Sequence, residues 1–266
     1  MSVTGGEVAQ NGRSRYESFR QEAIQLFQGG DLDRAEALFG NAIEAARELN
    51  DRRLLDTARC NRSAVRIARG DQDESVAELR EILMGTPFPE VSFLSSYNIA
   101  RAYELGKETK KGLFYARIAR DRAETLDRRD WIASSHNQVA NFLVADSYFE
   151  EAREEYLTAS SHLDEGDGSS EAFRVTVLVN IGYCELVLGR VSDGLATVYD
   201  CLRRARRLGD RRLEMIAHMD LAYGLMEAER YDHAWRNARR GLELAEGVGE
   251  ASWIKNGLYL AGEVAF

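Results

Sequence analysis

One spacing constrains this chain more than anything else in it. Small residues recur as Ala23, Ser63, Ala100, Ala140, Gly182, Ala222 and Ala261, at intervals of 40, 37, 40, 42, 40 and 39. A second series, Ala35, Ser75, Gly112, Ala152, Gly194 and Ala234, follows the first six at a constant offset of 12. Turn-like segments separate the members of each pair, as in QGGDL (28–32), ARGDQ (68–72) and VLGRV (187–191). A period of this length predicts a supersecondary unit that is stacked many times. Small side chains belong where two helix axes must cross closely, because a larger one would hold them apart. Bulky residues fill the remaining gaps: Leu26, Tyr103, Leu143 and Leu225 on first helices, and Phe39, Leu79, Tyr156 and Val198 on second helices. Neither helix of a unit can bury its apolar stripe alone, so each relies on its neighbours. Only two prolines, Pro87 and Pro89, occur in 266 residues, and so few helix breakers predict an all-α chain.

Four segments read as joints between units: ELNDRRLLDTA (48–58), ETLDRRDWIAS (124–134), RRLGDRRLEMIA (206–217) and AEGVGEASWIKN (245–256). Each contains a helix end, a Gly, Asn or Asp turn and a fresh helix start. The expected organisation is a disordered lead over 1–14 followed by a solenoid over 15–266. Its units run approximately 16–52, 53–89, 90–129, 130–168, 169–209 and 210–249, with a final single helix over 250–266. HLDEGDGSSEAF (162–173) is the loosest internal joint and the expected hinge. Trp131 and Trp253 follow joints and are expected to seal one unit against the next.

These residues resemble the tetratricopeptide repeat: a small residue in the first helix, an aromatic or Leu three later, Gly near the turn, and a small residue in the second helix. Pro87, closing one unit in MGTPFPE, fits the same pattern. The resemblance covers roughly residues 16–266, and the intervals near 40 are similar to the longer-repeat branch found in kinesin light chains and bacterial regulators. It implies a right-handed superhelical solenoid of six helix–turn–helix repeats plus a last helix, used to bind protein segments and carrying no chemical activity. Glu22, Arg62, Arg66 and Glu185 stand where that family has apolar residues, which predicts looser packing of the first two units.

Two residues before each small residue of the first helices stand Gln21, Asn61, Asn98, Gln138, Asn180 and Asp220. Asn is a mediocre helix former that usually goes to caps and turns, so its retention in mid-helix suggests a task. By the resemblance, first helices line a concave surface and an asparagine at this place holds the main chain of a bound peptide. A carboxamide suits that role because it both donates and accepts. The alternative is that the amides knit neighbouring helices together. Helical spacing places Tyr97, Asn137 and Met219, one residue before their rungs, and Arg101, Asn141, Tyr183 and Tyr223, three after, on the same face. Ile67, Glu104, Val144, Leu186 and Met226 follow at six. Such a lining suits a peptide with apolar anchors.

The remaining features narrow the function classes. Lys+Arg number 35 against 44 Asp+Glu, a net charge of −9, which argues against gripping nucleic-acid phosphates or an anionic membrane. The basic runs CLRRARRLGDRR (201–212) and WRNARRGLE (235–243) then read as solvated outer faces paired with Asp200, Glu214 and Glu243. Cys60, Cys184 and Cys201 are widely spaced and form neither a disulfide framework nor a zinc site, which suits a reducing compartment. With no signal peptide and no long apolar run at hand, the expected location is cytoplasmic. The four histidines, including His136 and His218, show no metal-ligand spacing, and neither a phosphate-binding glycine loop nor a nucleophile elbow is present. No enzyme activity and no cofactor are expected. The expected role is a scaffold or adaptor that takes a protein or peptide ligand in its groove. Two alternatives are self-assembly through the last helix, where Tyr259 interrupts the rung series, and service as the sensory part of a larger bacterial signalling protein.

Overall fold

The computed structural model describes residues 5–163, 168–249 and 251–265. Thirteen helices account for nearly all of them: α1 (Gly5–Gln28), α2 (Leu32–Glu48), α3 (Arg52–Arg69), α4 (Gln72–Gly85), α5 (Pro89–Leu105), α6 (Thr109–Thr125), α7 (Arg129–Ala145), α8 (Phe149–Ser161), α9 (Gly168–Val187), α10 (Val191–Leu208), α11 (Arg211–Glu227), α12 (Tyr231–Val248) and α13 (Ala251–Ala265). Two compact units divide the chain, Met1–Trp131 and Ile132–Phe266. That division falls within α7 and not at 162–173, part of which (164–167) lies outside the described residues.

In the first unit each helix packs on the next, and α3 also packs on α5. The second unit repeats the arrangement, with α9 on α11 and α11 on α13. Within each unit, odd-numbered helices thus meet one another, α3 with α5 in the first and α9, α11 and α13 in the second, beside their even-numbered neighbours. The small residues sit where the period requires. Ala23, Ser63, Ala100, Ala140 and Ala222 have no accessible surface, nor do Ala35, Ser75, Ala152 and Ala234. At the α9–α10 crossing a methyl group on Gly194 would lie 2.9 Å from the carbonyl oxygen of Gly182 and 2.7 Å from Leu186 Cγ. Only hydrogen fits there. Phe39, Leu79, Tyr156 and Val198 fill the intervals and are buried. Cys60, Cys184 and Cys201 are free and buried, and burial pushes each thiol up to about 12.

The turn between the helices of each pair carries one left-handed residue: Gly30, Gly70, Lys107, Ser147, Gly189 and Glu229, with φ between 57° and 108°. Each stands seven residues after its small first-helix partner, so backbone conformation follows the same period as side-chain size. Asp31, Asp51 and Asp210 cap α2, α3 and α11 by accepting hydrogen bonds from backbone N–H groups of the first turn. Pro89 opens α5 at a position where its missing N–H costs nothing.

Two expectations change. The lead expected to be disordered is helical from Gly5; 5–14 contains no proline, and Gly12 lies against Leu49, whose Cδ2 would be 2.8 Å from an added methyl. The charged residues of the first two repeats are not a packing defect. Arg66 Nε donates to Glu36 at 2.6 Å, and Arg59 Nε, Arg62 Nη2 and Ser63 Oγ donate to Glu78 at 2.9, 3.3 and 3.0 Å. Burial works against the Glu78 charge, but the Arg59 hydrogen bond and the neighbouring guanidinium groups hold its carboxyl below the usual range. Glu185 is met likewise by Arg153 at 3.4 Å. Paired arginine and carboxylate replace apolar contact at these crossings.

Candidate functional site

The rung residues of the first unit are largely absorbed by the packing. Asn98 is 6% exposed, and its Nδ2 donates to the Cys60 carbonyl at 3.3 Å, stitching α5 to α3. Tyr97 stacks on Phe93 with ring centroids 5.5 Å apart, and Phe93 stacks on Trp131 at 4.1 Å, which seals the end of α5. The Arg101 guanidinium lies 5.7 Å from the centre of the Phe27 ring. Gln21 is exposed, Asn61 half-buried, and Ile67 lies in the core at 1%. In the second unit Gln138 is only 3% exposed, beneath the surface like Asn98, and Asn137 is half-buried. Of the six rungs, Asn98 and Gln138 are thus buried within the packing, where an amide must find partners inside the protein.

A different picture holds further along the second unit. There, Asn141, Asn180, Tyr183, Met219, Asp220 and Tyr223 line one cavity of about 540 Å³. They come from three odd-numbered helices, α7, α9 and α11, at the rung, three residues after it or, for Met219, one residue before it. Val144, Tyr156 and Ile216 contribute to the wall, and α13 closes it with Trp253, Asn256, Tyr259 and Leu260. Asn256 and Tyr259 are exposed, Tyr259 at 65%, so the cavity has a solvent-facing rim. Its size falls within the ~300–1,000 Å³ typical of ligand pockets.

Local contacts fix the lining. Tyr156 Oη donates to Asn141 Oδ1 at 2.7 Å, which turns the Asn141 amide toward the cavity wall. Tyr183 packs edge-on against Phe149 at 6.2 Å and lies 6.4 Å from Tyr223. Trp253 packs on the cluster of Met215, Met219, Leu244 and Ala245, sealing α13 onto α11 and α12. Met219 itself is 2% exposed and forms the floor. Asp220 is half-buried, and burial pushes its carboxyl up from 3.8 to about 8. The phenol of Tyr183 is raised by burial and then by the nearby Asp220 and Tyr223.

The other candidate chemistries resolve into structure. His136 Nδ1 lies 2.5 Å from Glu155 Oε2, and His218 is held between Asn237 Oδ1 at 2.8 Å and the Arg206 guanidinium at 3.1 Å. Burial lowers the His218 pKa, which keeps the ring neutral with its proton on Nδ1. The basic runs pair locally: Arg203 and Arg204 with Asp200, Arg206 with Glu214, and Arg239 and Arg240 with Glu243. Trp235 is 39% exposed.

The sequence matches no family model and no curated protein. Its backbone does match solved structures. A signal transduction ATPase with numerous domains and a tetratricopeptide repeat sensor, from Pyrococcus horikoshii, is 16% identical with a TM-score of 0.68 over 94% of this chain and 37% of that one. The kinesin-light-chain TPR-like repeats of Podospora anserina are 12% identical with a TM-score of 0.57 over 72% of this chain and 95% of that one. This chain has the tetratricopeptide-repeat fold. A Rap protein solved in complex with competence and sporulation factor is a third likeness, 12% identical with a TM-score of 0.65 over 94% of this chain and 76% of that one. The chain spans little more than a third of the Pyrococcus ATPase.

Within this tetratricopeptide-repeat chain the contribution of α13 is what the sequence reading missed. Tyr259 occupies the rung place two residues before Ala261, and Asn256 stands one turn earlier on the same face. An aromatic at a rung looked like an interruption of the amide series, whereas it closes the pocket those amides begin. No helix among the described residues is long and apolar enough to cross a membrane.

Proposed function

We propose that this chain is a protein-interaction module that binds a segment of a partner protein in the cavity of its second unit. The observation that carries the reading is the convergence of Asn141, Asn180 and Asp220 with Tyr183 and Tyr223 on one open cavity. Carboxamides can hold a peptide main chain through both donor and acceptor. Tyrosines offer large contact area with little rotamer entropy to lose. A Rap protein of the same fold, solved in complex with competence and sporulation factor, supports ligand binding by a chain of this architecture.

The test is selection of a random peptide library on the full chain, with selected peptides titrated against Asn180→Ala and Tyr223→Ala. The expected result is a set of peptides that compete with one another and lose at least tenfold in affinity in both variants. Peptides that bind both variants as tightly as the parent would place recognition elsewhere and overturn the reading.

A further inference from the structure

Carboxylates at the helix interfaces of this protein are matched by arginine. Asp56, 5% exposed, lies 3.5 Å from both Arg52 and Arg59. Glu185, 8% exposed, faces Arg153; Glu78 faces Arg59 and Arg62, and Glu36 faces Arg66 and Arg69. Asp220 breaks the pattern. No hydrogen bond or ion pair reaches its carboxylate among the described residues, and the cavity it lines contains no lysine, arginine or histidine. Around it stand Tyr183, Tyr223, Trp253 and Tyr259, rings whose faces attract cations, together with the amide oxygens of Asn180 and Asn256.

We propose that the cavity takes a basic side chain of the bound segment, arginine or lysine, with its cationic head on the Asp220 carboxylate and its stem along the surrounding aromatic rings. This rests on the peptide-binding reading and specifies the anchor. The missing counter-charge of this site is supplied by the ligand, just as Arg153 supplies it to Glu185 from within the fold.

A pH dependence follows. The titratable groups facing Asp220 are phenols and thiols: Tyr223 on its own helix, Tyr183 on α9, Tyr156 on α8 and Tyr259 on α13, with Cys184 of α9 and Cys201 of α10 behind them. Burial raises Tyr183, Tyr223, Cys184 and Cys201 above their ordinary values, so Asp220 is the group that changes charge near neutrality. In the empty protein its carboxyl holds a proton up to about pH 8. A cation requires the ionised form, so binding must expel that proton, and affinity for an arginine ligand falls about tenfold for each pH unit below 8.

Three probes test this on the full chain: acetyl-Ala-Ala-Arg-Ala-Ala-amide, the same peptide with neutral citrulline for arginine, and butylguanidinium. Each is titrated at pH 8.5 and 6.5 while the Trp253 indole N–H resonance is followed. The expected result is at least tenfold tighter binding of the arginine peptide than the citrulline peptide at pH 8.5, most of it lost at pH 6.5. In Asp220→Asn the two peptides should bind alike at both pH values. Equal binding of the two peptides to the parent chain overturns the cationic anchor and leaves the peptide reading standing. Butylguanidinium binding as tightly as the arginine peptide overturns the assignment to a peptide side chain in favour of a free small cation. No response of Trp253 to any of the three overturns the proposal altogether.

Discussion

Asp220 is a residue that the fold tolerates at a cost. Its carboxyl sits at about 8 in the folded chain against 3.8 in the unfolded one, and the sign of the consequence is fixed. Below about pH 4 both states hold the proton and nothing is lost. Between pH 4 and 8 the unfolded chain releases it and the folded chain does not, so ionisation favours unfolding and stability falls as pH rises, reaching its floor above about 8. Asp220→Asn removes this dependence without changing shape. Chemical denaturation should find the variant more stable than the parent at pH 8, with the gap closed at pH 3. Equal stability at pH 8 would mean that the carboxylate is better solvated than its burial indicates. A destabilising charge retained beside four aromatic rings fits a site kept for binding, since activity and stability commonly trade against each other at such places.

The helix pair is the element in which sequence and structure correspond most directly. Gly194 and Gly40 are both helical glycines, but the space around them differs. A methyl on Gly194 meets Leu186 and the Gly182 carbonyl oxygen, while one on Gly40 meets nothing within 4 Å. Gly194→Ala should therefore lower the unfolding free energy read from urea denaturation, by about 1–3 kcal/mol of overpacking less the helix propensity gained. Gly40→Ala should raise that free energy by ~0.5–1 kcal/mol. A shift of the same sign in both variants would sink the close-crossing account of the second small-residue series. That series was legible because crossing distance leaves no choice of side chain. The rungs were less so, because an amide at one position of the period can turn inward or outward according to its neighbours. Asn98 finds the Cys60 carbonyl within reach and turns in; Asn180 lies beside an open cavity. Likewise Arg62, Arg66 and Glu185 look like faults in an apolar pattern until the opposite charge one helix away is in view, and that pairing is a property of three-dimensional neighbours alone.

At the scale of the molecule, the period revealed an all-helical repeat array but not how it divides. The loosest-looking joint, 162–173, is rich in Gly, Ser and Asp, yet the boundary between compact units lies at Trp131/Ile132, inside a helix that carries no compositional mark. Nor could the sequence show that α13 completes a cavity. Removal of residues 251–266 would strip Trp253, Asn256, Tyr259 and Leu260 from its wall, so a truncation intended to probe self-association would also open the cavity.

The three inaccessible thiols give the protein a built-in clock. A thiol held near 12 and shielded from reagent reacts only while the surrounding structure is transiently open. Cys60 times the first unit; Cys184 and Cys201 time the second. Alkylation of the native chain, followed site by site by mass spectrometry, should leave all three untouched on the timescale in which an exposed thiol is consumed. In Gly194→Ala, modification should accelerate at Cys184 and Cys201 while Cys60 keeps its parental rate. Equal acceleration at all three would mean that the array opens as a single cooperative body.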